Sequence, residues 1–528
     1  MRCEMVSPAS GYAGSCPDHP GKEKKKMDLR VILILAAEAA VALLLLKRSG
    51  VPVGFRTAVI SILLLFLAFW IRASLLDYET TDYQWFLTKW VDYYRENGGF
   101  AGLKNSVGNY NIPYLYFLAL FSRSSIRDLY LIKLLSIFFD VILAYACMRI
   151  VQKCGGSPLR SAVCFFVVLF LPTVILNGAK WGQCDSIYTA FALLGIELAL
   201  GESTSGTIGT STGATAKKRM KKQEPAPVHM SGTVQGMDQA GENSYGENSY
   251  EKKPERHTNC RSEKIKRERS AKQHSAHCVS FQEILSVICI AVSFSFKLQA
   301  VFIMPAYVIL WIKKKYRITD IFLFPLTYLI MILPAVLLGR PIPDALLLYV
   351  DQAETVGTAM NYNSPSMTAL IRNVTDPDRL SVLCICLAFA AVALILSAGL
   401  LFRGRLNNTG LVGLTLLLTL AVPFFLPHMH DRYFFPADCL TVAFACAMTV
   451  FSPREIPEQL LRTFSAVFMQ FGSLICYLAY FTGYYLPLGN IYLTNDRGAV
   501  AVILCTGITI FCTCSECSRS PVRDGKTA

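Results

Sequence analysis

The stretch LSVLCICLAFAAVALILSAGLLF, residues 380–402, decides the fold class because it is almost wholly apolar and carries no charged residue. Crossing a bilayer as a helix takes about 20 mainly apolar residues. Every backbone polar group in the hydrocarbon layer must also be paired within the protein, and a helix pairs its own. This stretch therefore predicts a membrane-spanning helix.

Other apolar runs of similar length recur along the chain and predict an all-α, polytopic membrane protein of about 12–13 transmembrane helices. The two runs that flank Lys297 are short, so they are also compatible with one long helix that has a break. The further runs are 29–46, 57–76, 128–150, 160–177, 185–200, 283–297, 299–312, 320–338, 409–426, 434–451, 463–485 and 497–513.

The composition of the 528 residues agrees with a membrane protein, since 53% are hydrophobic and only 17% are charged. Soluble domains carry about 25% charged residues. The net charge of +14 comes largely from short basic clusters between apolar runs, which favours an orientation signal over nucleic-acid binding. The 18 cysteines are scattered, many inside apolar runs, and predict neither a disulfide framework nor a redox function.

The connections between runs alternate in character, and the basic ones are assigned to the cytoplasm by the positive-inside rule. The sequence therefore predicts a multi-pass protein of the cell membrane. The basic connections are 153–160, 201–282, 313–317, 403–405, 454–462 and the tail after Cys517; the loops left outside are 77–127, 177–184, 339–379, 427–433 and 484–497.

The predicted organisation is an N-terminal tail (1–26), a first membrane part (27–200), a disordered basic cytoplasmic insertion (201–282), the remaining helices (283–517) and a cytoplasmic tail (518–528). The insertion is rich in small, polar and charged residues and poor in large apolar ones, so it cannot bury enough surface to fold.

The lysines at 22–26 raise a topology conflict, because two full spans before the outside loop 77–127 put the N-terminus outside as well. The conflict disappears if translation begins at Met27, which removes these lysines. Otherwise 29–46 is not a full span.

The segment ETTDYQWFLTKWVDYYRENGGF, residues 79–100, predicts an interfacial helix in the first large external loop. Thr81 and Gln84 have the spacing of a capping box, and Gly98 and Gly99 end the helix. The helix begins at Asp82 and presents Trp and Tyr side chains, which suit the head-group layer. Taken alone, Asp82 is better explained by a role in stabilising the start of the helix.

Two further segments place polar residues at the predicted external ends of spans. In NGAKWGQCDSIYTAF, residues 177–191, Gln183 and Asp185 accompany Trp181, and such groups cost free energy unless they face a cavity or a partner. An ordinary polar loop with an interfacial Trp remains the alternative.

The second segment, LPHMHDRYFFPAD at residues 426–438, holds His428, His430 and Arg432. Two histidines are weak evidence for a metal site. Imidazolium and guanidinium groups that bind phosphate are the preferred interpretation. Lys297, a lone cation in an apolar run, is a fourth candidate, and snorkelling to the surface is its alternative.

These segments together resemble the membrane glycosyltransferases of the GT-C class that use polyprenyl-phosphate sugars as donors. The likeness is to bacterial relatives of the mannosyltransferase that adds the second mannose of the GPI anchor, and of the dolichyl-phosphate-glucose glucosyltransferases. It spans residues 57 to about 450 and rests on TTDYQWFLTKWVDYYRENGGF, KWGQCDSIY, SFKLQAVF and HMHDRYF, in that order. The extra leading span, the insertion and the motif Thr80-Thr81-Asp82 in place of paired acids depart from the broader pattern.

The resemblance implies that Asp82 is the catalytic acidic residue and that two segments, Trp181 to Asp185 and His428 to Arg432, line the donor cavity. The expected roles are Asp82 as base, Arg432, His428, His430 and Lys297 on the donor phosphate, and Gln183 and Asp185 on sugar hydroxyls. No metal or cofactor is expected in this scheme.

The expected reaction transfers a mannose-like hexose, with inversion, from a polyprenyl-phosphate donor to a carbohydrate, lipid-linked or protein acceptor on the extracytoplasmic face. The expected partners are that donor, the acceptor and the lipid bilayer, without nucleic acid. A multi-pass transporter, or a polymerase or flippase of lipid-linked sugars, remains the alternative.

Overall fold

The computed structural model describes residues 27–51, 54–201, 281–313, 316–354, 358–371, 373–448, 453–489 and 491–519. The predicted tail 1–26 and nearly all of the predicted insertion 201–282 lie outside these residues. Helix structure begins at Phe281, just inside the predicted bounds of the insertion.

The described residues form eighteen α-helices with short 3₁₀ and π turns between them, and four short strands. The helices are α1 (Leu29–Arg48), α2 (Phe55–Ser74), α3 (Thr88–Glu96), α4 (Ile112–Phe121), α5 (Asp128–Lys153), α6 (Pro158–Phe170), α7 (Pro172–Ile175), α8 (Asp185–Ala199), α9 (Phe281–Phe296), α10 (Pro305–Ile312), α11 (Leu323–Leu337), α12 (Ile342–Leu346), α13 (Leu348–Glu354), α14 (Pro377–Leu401), α15 (Asn408–Phe425), α16 (Phe435–Ala447), α17 (Ile456–Thr482) and α18 (Asn495–Arg519). The strands are β1 (Asn361–Tyr362), β2 (Met429–His430), β3 (Leu486–Leu488) and β4 (Ile491–Leu493).

The predicted all-α, multi-pass architecture is confirmed. Within the described ranges, eight helices are long and apolar enough to cross a membrane: α1, α2, α5, α11, α14, α15, α17 and α18. For α11 and α17 the span includes residues of the 3₁₀ turn that precedes the helix. The bent pair α6 and α7 raises the number to nine if it is one span. The other predicted runs form shorter helices, among them α8 with 15 residues and α16 with 13, which are mostly buried inside the bundle.

Helices α9 and α10 confirm the predicted break at Lys297. Helix α9 ends at Phe296, Lys297 is extended with φ −153° and ψ 135°, and a 3₁₀ turn at Leu298–Phe302 leads to α10. Neither piece has the length of a full span on its own.

Loops from distant parts of the chain meet at two ends of the bundle. At one end, which we call the site end, the Thr81 and Tyr480 hydroxyls lie 3.3 Å apart, and the backbone of His428 donates to the Met360 carbonyl at 3.0 Å. At the opposite end, the side-chain amide of Asn408 donates to the carbonyls of Lys153 and Gly201 at 2.7 and 2.8 Å. This grouping agrees with the predicted division of the loops, and which end faces the cytoplasm stays a prediction.

Helix α1 begins at the site end, where the guanidinium of Arg30 donates to the Ser125 hydroxyl at 2.6 Å. Helix α1 is also one of the helices long enough to cross the membrane. The structure therefore disfavours the alternative in which 29–46 is not a full span.

A buried ion pair ties the first helices together. Arg72 near the end of α2 donates through Nε to Asp140 of α5 at 3.1 Å and through a terminal nitrogen to the Leu169 carbonyl of α6 at 2.9 Å. Ser186 of α8 donates to the same Asp140 carboxylate, and Glu38 of α1 is buried beside the pair. Charges inside a membrane protein persist when they are paired in this way.

We predict that Arg72→Met lowers the free energy of unfolding by about 3–5 kcal/mol, because it leaves Asp140 buried without its cation. The matched control is Arg379→Met, which breaks the exposed pair with Asp376 and costs about 0–1 kcal/mol. Thermal unfolding of both variants in lipid nanodiscs measures the difference. Equal losses in the two variants would contradict the structural role of the pair.

Candidate active site

Asp82 lies in the first turn of the helical segment that leads into α3. The N-cap of that segment is Thr80, whose hydroxyl accepts from the backbone of Tyr83 at 3.3 Å. The predicted capping box of Thr81 and Gln84 is therefore wrong, since the Gln84 side chain donates instead to Glu79. The helix starts and ends where predicted, with a π turn at Tyr83–Leu87 and a left-handed Gly98.

The Asp82 carboxylate is half-buried and is held by two side chains from a distant loop. The indole Nε1 of Trp181 and the amide Nε2 of Gln183 both donate to Asp82 Oδ2, each at 2.8 Å. Gly182 between them has φ 77°, a left-handed conformation that favours glycine. This turn sets the Trp181 and Gln183 side chains against the same carboxylate oxygen.

Gln183 uses its other polar groups within the protein. Its Oε1 accepts from the Tyr110 hydroxyl at 2.9 Å, and its carbonyl accepts from the Ser136 hydroxyl at 2.7 Å. Trp181 is equally occupied: its ring is stacked on Tyr480 with centroids 3.8 Å apart. Both side chains are buried, so the predicted cavity residues here serve to hold Asp82.

Asp185 at the start of α8 is completely buried and forms an ion pair with Lys297. Its other oxygen accepts from the amide of Asn177 at 2.9 Å. The break between α9 and α10 turns the Lys297 side chain towards this carboxylate, so snorkelling does not describe Lys297. The structure thus brings two predicted site residues into one pair, and it leaves Asp185 no open path to a sugar.

Arg432 lies across Trp181 with its guanidinium carbon 5.3 Å from the ring centroid. It approaches Asp185 at 3.9 Å and Asp431 at 3.8 Å, both longer than a hydrogen bond. Its buried Nε has no hydrogen-bond partner in the described part of the chain. The guanidinium therefore retains free donors beside the Asp82 cluster.

The two histidines His428 and His430 have different surroundings in the structure. His428, at φ 59°, has Nδ1 2.8 Å from the Ala359 carbonyl in the loop that precedes β1, and its Nε2 lies 3.5 Å from the Ser381 hydroxyl of α14. His430 pairs through β2 with β1 and stacks on Tyr362 with centroids 4.6 Å apart. The structure shows no contact of His428 with Asp82, Trp181 or Arg432 among the described residues.

Burial, reinforced by the charges of Arg432 and Lys297, lowers the pKa of His430 to about 3. His430 is therefore neutral at physiological pH. Because burial and the two nearby cations lower its pKa, His430 does not supply the expected protonated imidazole, and its contact with phosphate stays a prediction. A neutral imidazole N–H can still donate one hydrogen bond.

Sequence reasoning did not assign a role to Asp431, Tyr480 or Tyr110. Burial raises the pKa of Asp431 to about 7, and the neighbouring Asp82 and Asp185 charges act in the same direction. The sequence feature that could have pointed to Asp431 is its position between His430 and Arg432, two predicted site residues. No local pattern distinguishes Tyr480 and Tyr110 from the many other tyrosines of the chain.

The described residues contain no group of three or more His, Cys, Asp and Glu side chains that could hold a metal ion. Comparison with known proteins gives no match to a family model and no similar curated protein. The arrangement itself is a half-exposed carboxylate beside a guanidinium with free donors, in a setting that can bind an anion and accept a proton.

We predict that Asp431→Asn gains thermal stability relative to the parent as pH rises from about 4 to 7, because the substitution removes a carboxyl whose pKa is higher in the fold than in the unfolded chain. The ordinary pKa of an aspartate is 3.8, and burial raises that of Asp431 to about 7, so this carboxyl makes stability fall as pH rises through the window. His430 acts in the opposite sense below pH 6.5, equally in both proteins. Midpoints of thermal unfolding measured across the window test this, with the half-exposed Asp92→Asn as control. Parallel curves for the variant and the parent would refute the assignment.

Proposed function

We propose that this protein is a membrane hexosyltransferase that moves a mannose-like hexose from a polyprenyl-phosphate donor to an acceptor hydroxyl at the site end, with inversion. The acceptor is a carbohydrate, a lipid-linked molecule or a protein, and the site end faces away from the cytoplasm of the cell that carries the protein in its membrane.

The observation that carries this proposal is the unpartnered Nε of Arg432, buried against the indole that donates to Asp82. A buried donor without a partner costs free energy unless a ligand satisfies it. A phosphate oxygen is a strong acceptor for guanidinium donors. A bound phosphate at this point would place its sugar near the Asp82 carboxylate.

The charges of the site also favour an anionic group. Asp185 lies between Lys297 and Arg432, so this buried carboxylate faces two cations. Arg432 also lies 3.8 Å from Asp431, but burial raises the pKa of that carboxyl to about 7 and so reduces its negative charge at neutral pH. The positive charge of the two cations stabilises the phosphate that leaves when the bond between sugar and phosphate breaks. In this scheme Lys297 acts together with Asp185, and contact of Asp185 with sugar hydroxyls is no longer part of the proposal because Asp185 is fully buried.

Asp82 has the geometry of a general base. Its Oδ2 accepts two hydrogen bonds, and its Oδ1 accepts none from a described residue. The free oxygen can take the proton of an acceptor hydroxyl as that hydroxyl attacks the anomeric carbon. A single displacement of this kind inverts the configuration at that carbon.

A transporter or flippase is the second candidate, favoured by the buried ionisable groups Glu38, Arg72 and Asp140 within membrane helices. Arg72 and Asp140 satisfy one another in a buried ion pair. Uptake of a solute or lipid-linked sugar into proteoliposomes, without consumption of a polyprenyl-phosphate sugar, would favour this candidate.

We predict that Asp82→Asn abolishes hexose transfer, because the amide cannot accept the proton while its oxygen can still accept from Trp181. The matched control is Asp92→Asn, ten positions along on the exposed side of α3, which should keep parental turnover. Purified proteins in nanodiscs are incubated with a panel of polyprenyl-phosphate hexoses, and donor consumption is measured. Parental turnover in the Asp82 variant would remove this residue from the mechanism.

We predict that Arg432→Gln raises KM for the donor by about 10–100-fold, equivalent to the about 1.5–3 kcal/mol of hydrogen bonds to a charged group. Arg432→Lys should recover part of the loss, since it restores the charge without the planar fork of donors. Arg127→Gln, which alters the more exposed pair with Glu79, is the control. An unchanged KM in Arg432→Gln would show that the phosphate binds elsewhere.

A further inference from the structure

The strands β3 and β4 form an antiparallel hairpin, residues 484–493, at the site end. Leu486 pairs with Leu493 and Leu488 pairs with Ile491, so these four side chains lie on one face. The face is entirely aliphatic, and Leu488 and Ile491 are 64% and 57% exposed. Leu486 is exposed as well, whereas Leu493 at the base of the hairpin is half-buried.

An isolated two-stranded hairpin is marginally stable in water, and an uncovered aliphatic face adds to the cost. Strand β3 follows α17 after three residues, and β4 leads into α18 after one. Both flanking helices are long and apolar enough to cross the membrane. The strand pair is therefore held at the boundary of the same bilayer.

The sequence of this region fits the same boundary. From Thr463 to Asn495 it contains no Asp, Glu, Lys or Arg. Tyr484 and Tyr492 are exposed at the two sides of the hairpin, and tyrosine is enriched where hydrocarbon meets head groups. A water-soluble partner would not explain the absence of charged residues from this segment or the exposed tyrosines beside the hairpin.

We propose that the aliphatic face of hairpin 484–493 is seated in the lipid of the leaflet at the site end, at the boundary between head groups and acyl chains. The occupant of this face is therefore lipid, not a second copy of the chain and not a water-soluble partner. This inference does not depend on sugar transfer.

The hairpin is joined to the loops of the candidate site by one short chain of contacts. The Tyr485 hydroxyl donates to Asn363 Oδ1 at 3.1 Å, and the Asn363 amide donates to the Cys476 carbonyl at 2.7 Å. Asn363 also forms a β-bridge with His430. Insertion of the hairpin into lipid thus fixes the depth of the segment around Asn363 relative to the membrane surface.

The test introduces a fluorescent reporter by Leu488→Trp in the full chain, in nanodiscs made with or without lipids brominated near the head groups. Emission in excess of the five native tryptophans is compared with that of Leu394→Trp, an exposed position in the middle of α14. Iodide in the buffer reports access from water. Ile491→Trp, on the same face, is the second reporter should Leu488→Trp fail to fold.

The expected result is loss of the added emission with brominated lipid and little loss with iodide. Strong quenching by iodide without quenching by brominated lipid would place the face in water and overturn the proposal. Protection from both quenchers would indicate a protein contact, such as a second copy, and would overturn it equally.

Discussion

The candidate site depends on one fully buried carboxylate, that of Asp185. It forms the ion pair with Lys297, accepts from Asn177 and lies 3.9 Å from Arg432. These partners belong to the break after α9, to the π turn Leu176–Trp181 and to the loop before α16, so one side chain at the start of α8 fixes three other segments. Removing a carboxylate from such a position leaves two cations facing each other in a poorly solvated place, and that is costly.

The half-buried Asp82 differs from Asp185 and Asp431, the two other carboxyl groups of the candidate site. Asp185 and Asp431 are buried, and the first is balanced by cations while the second holds its proton more tightly than a free aspartate. Asp82 is instead restrained by neutral donors, Trp181 and Gln183, which fix its position without cancelling its charge. A carboxylate held in this way is fixed in position and can still accept a proton.

The fold could be predicted largely from the sequence. A membrane helix pairs its own backbone polar groups, and it is visible in the sequence as a long apolar run. The break at Lys297 was predictable for the same reason, since a charge and short runs cannot belong to an ordinary span. The approach of Asp82, Trp181 and Gln183 followed only from a resemblance. The neutral state of His430 and the tight hold of Asp431 on its proton could not be foreseen, because they depend on contacts between residues far apart in the chain.

The pair of Asp185 and Lys297 also constrains how the chain is assembled during synthesis. The two residues are 112 positions apart, so the ribosome completes α8 well before it makes the cation that neutralises Asp185. Until α9 arrives, the first helices must keep this carboxylate near water or protonated, since an isolated charge in lipid is costly. The first helices can therefore reach their final packing only after α9 and the turn that follows it have been made.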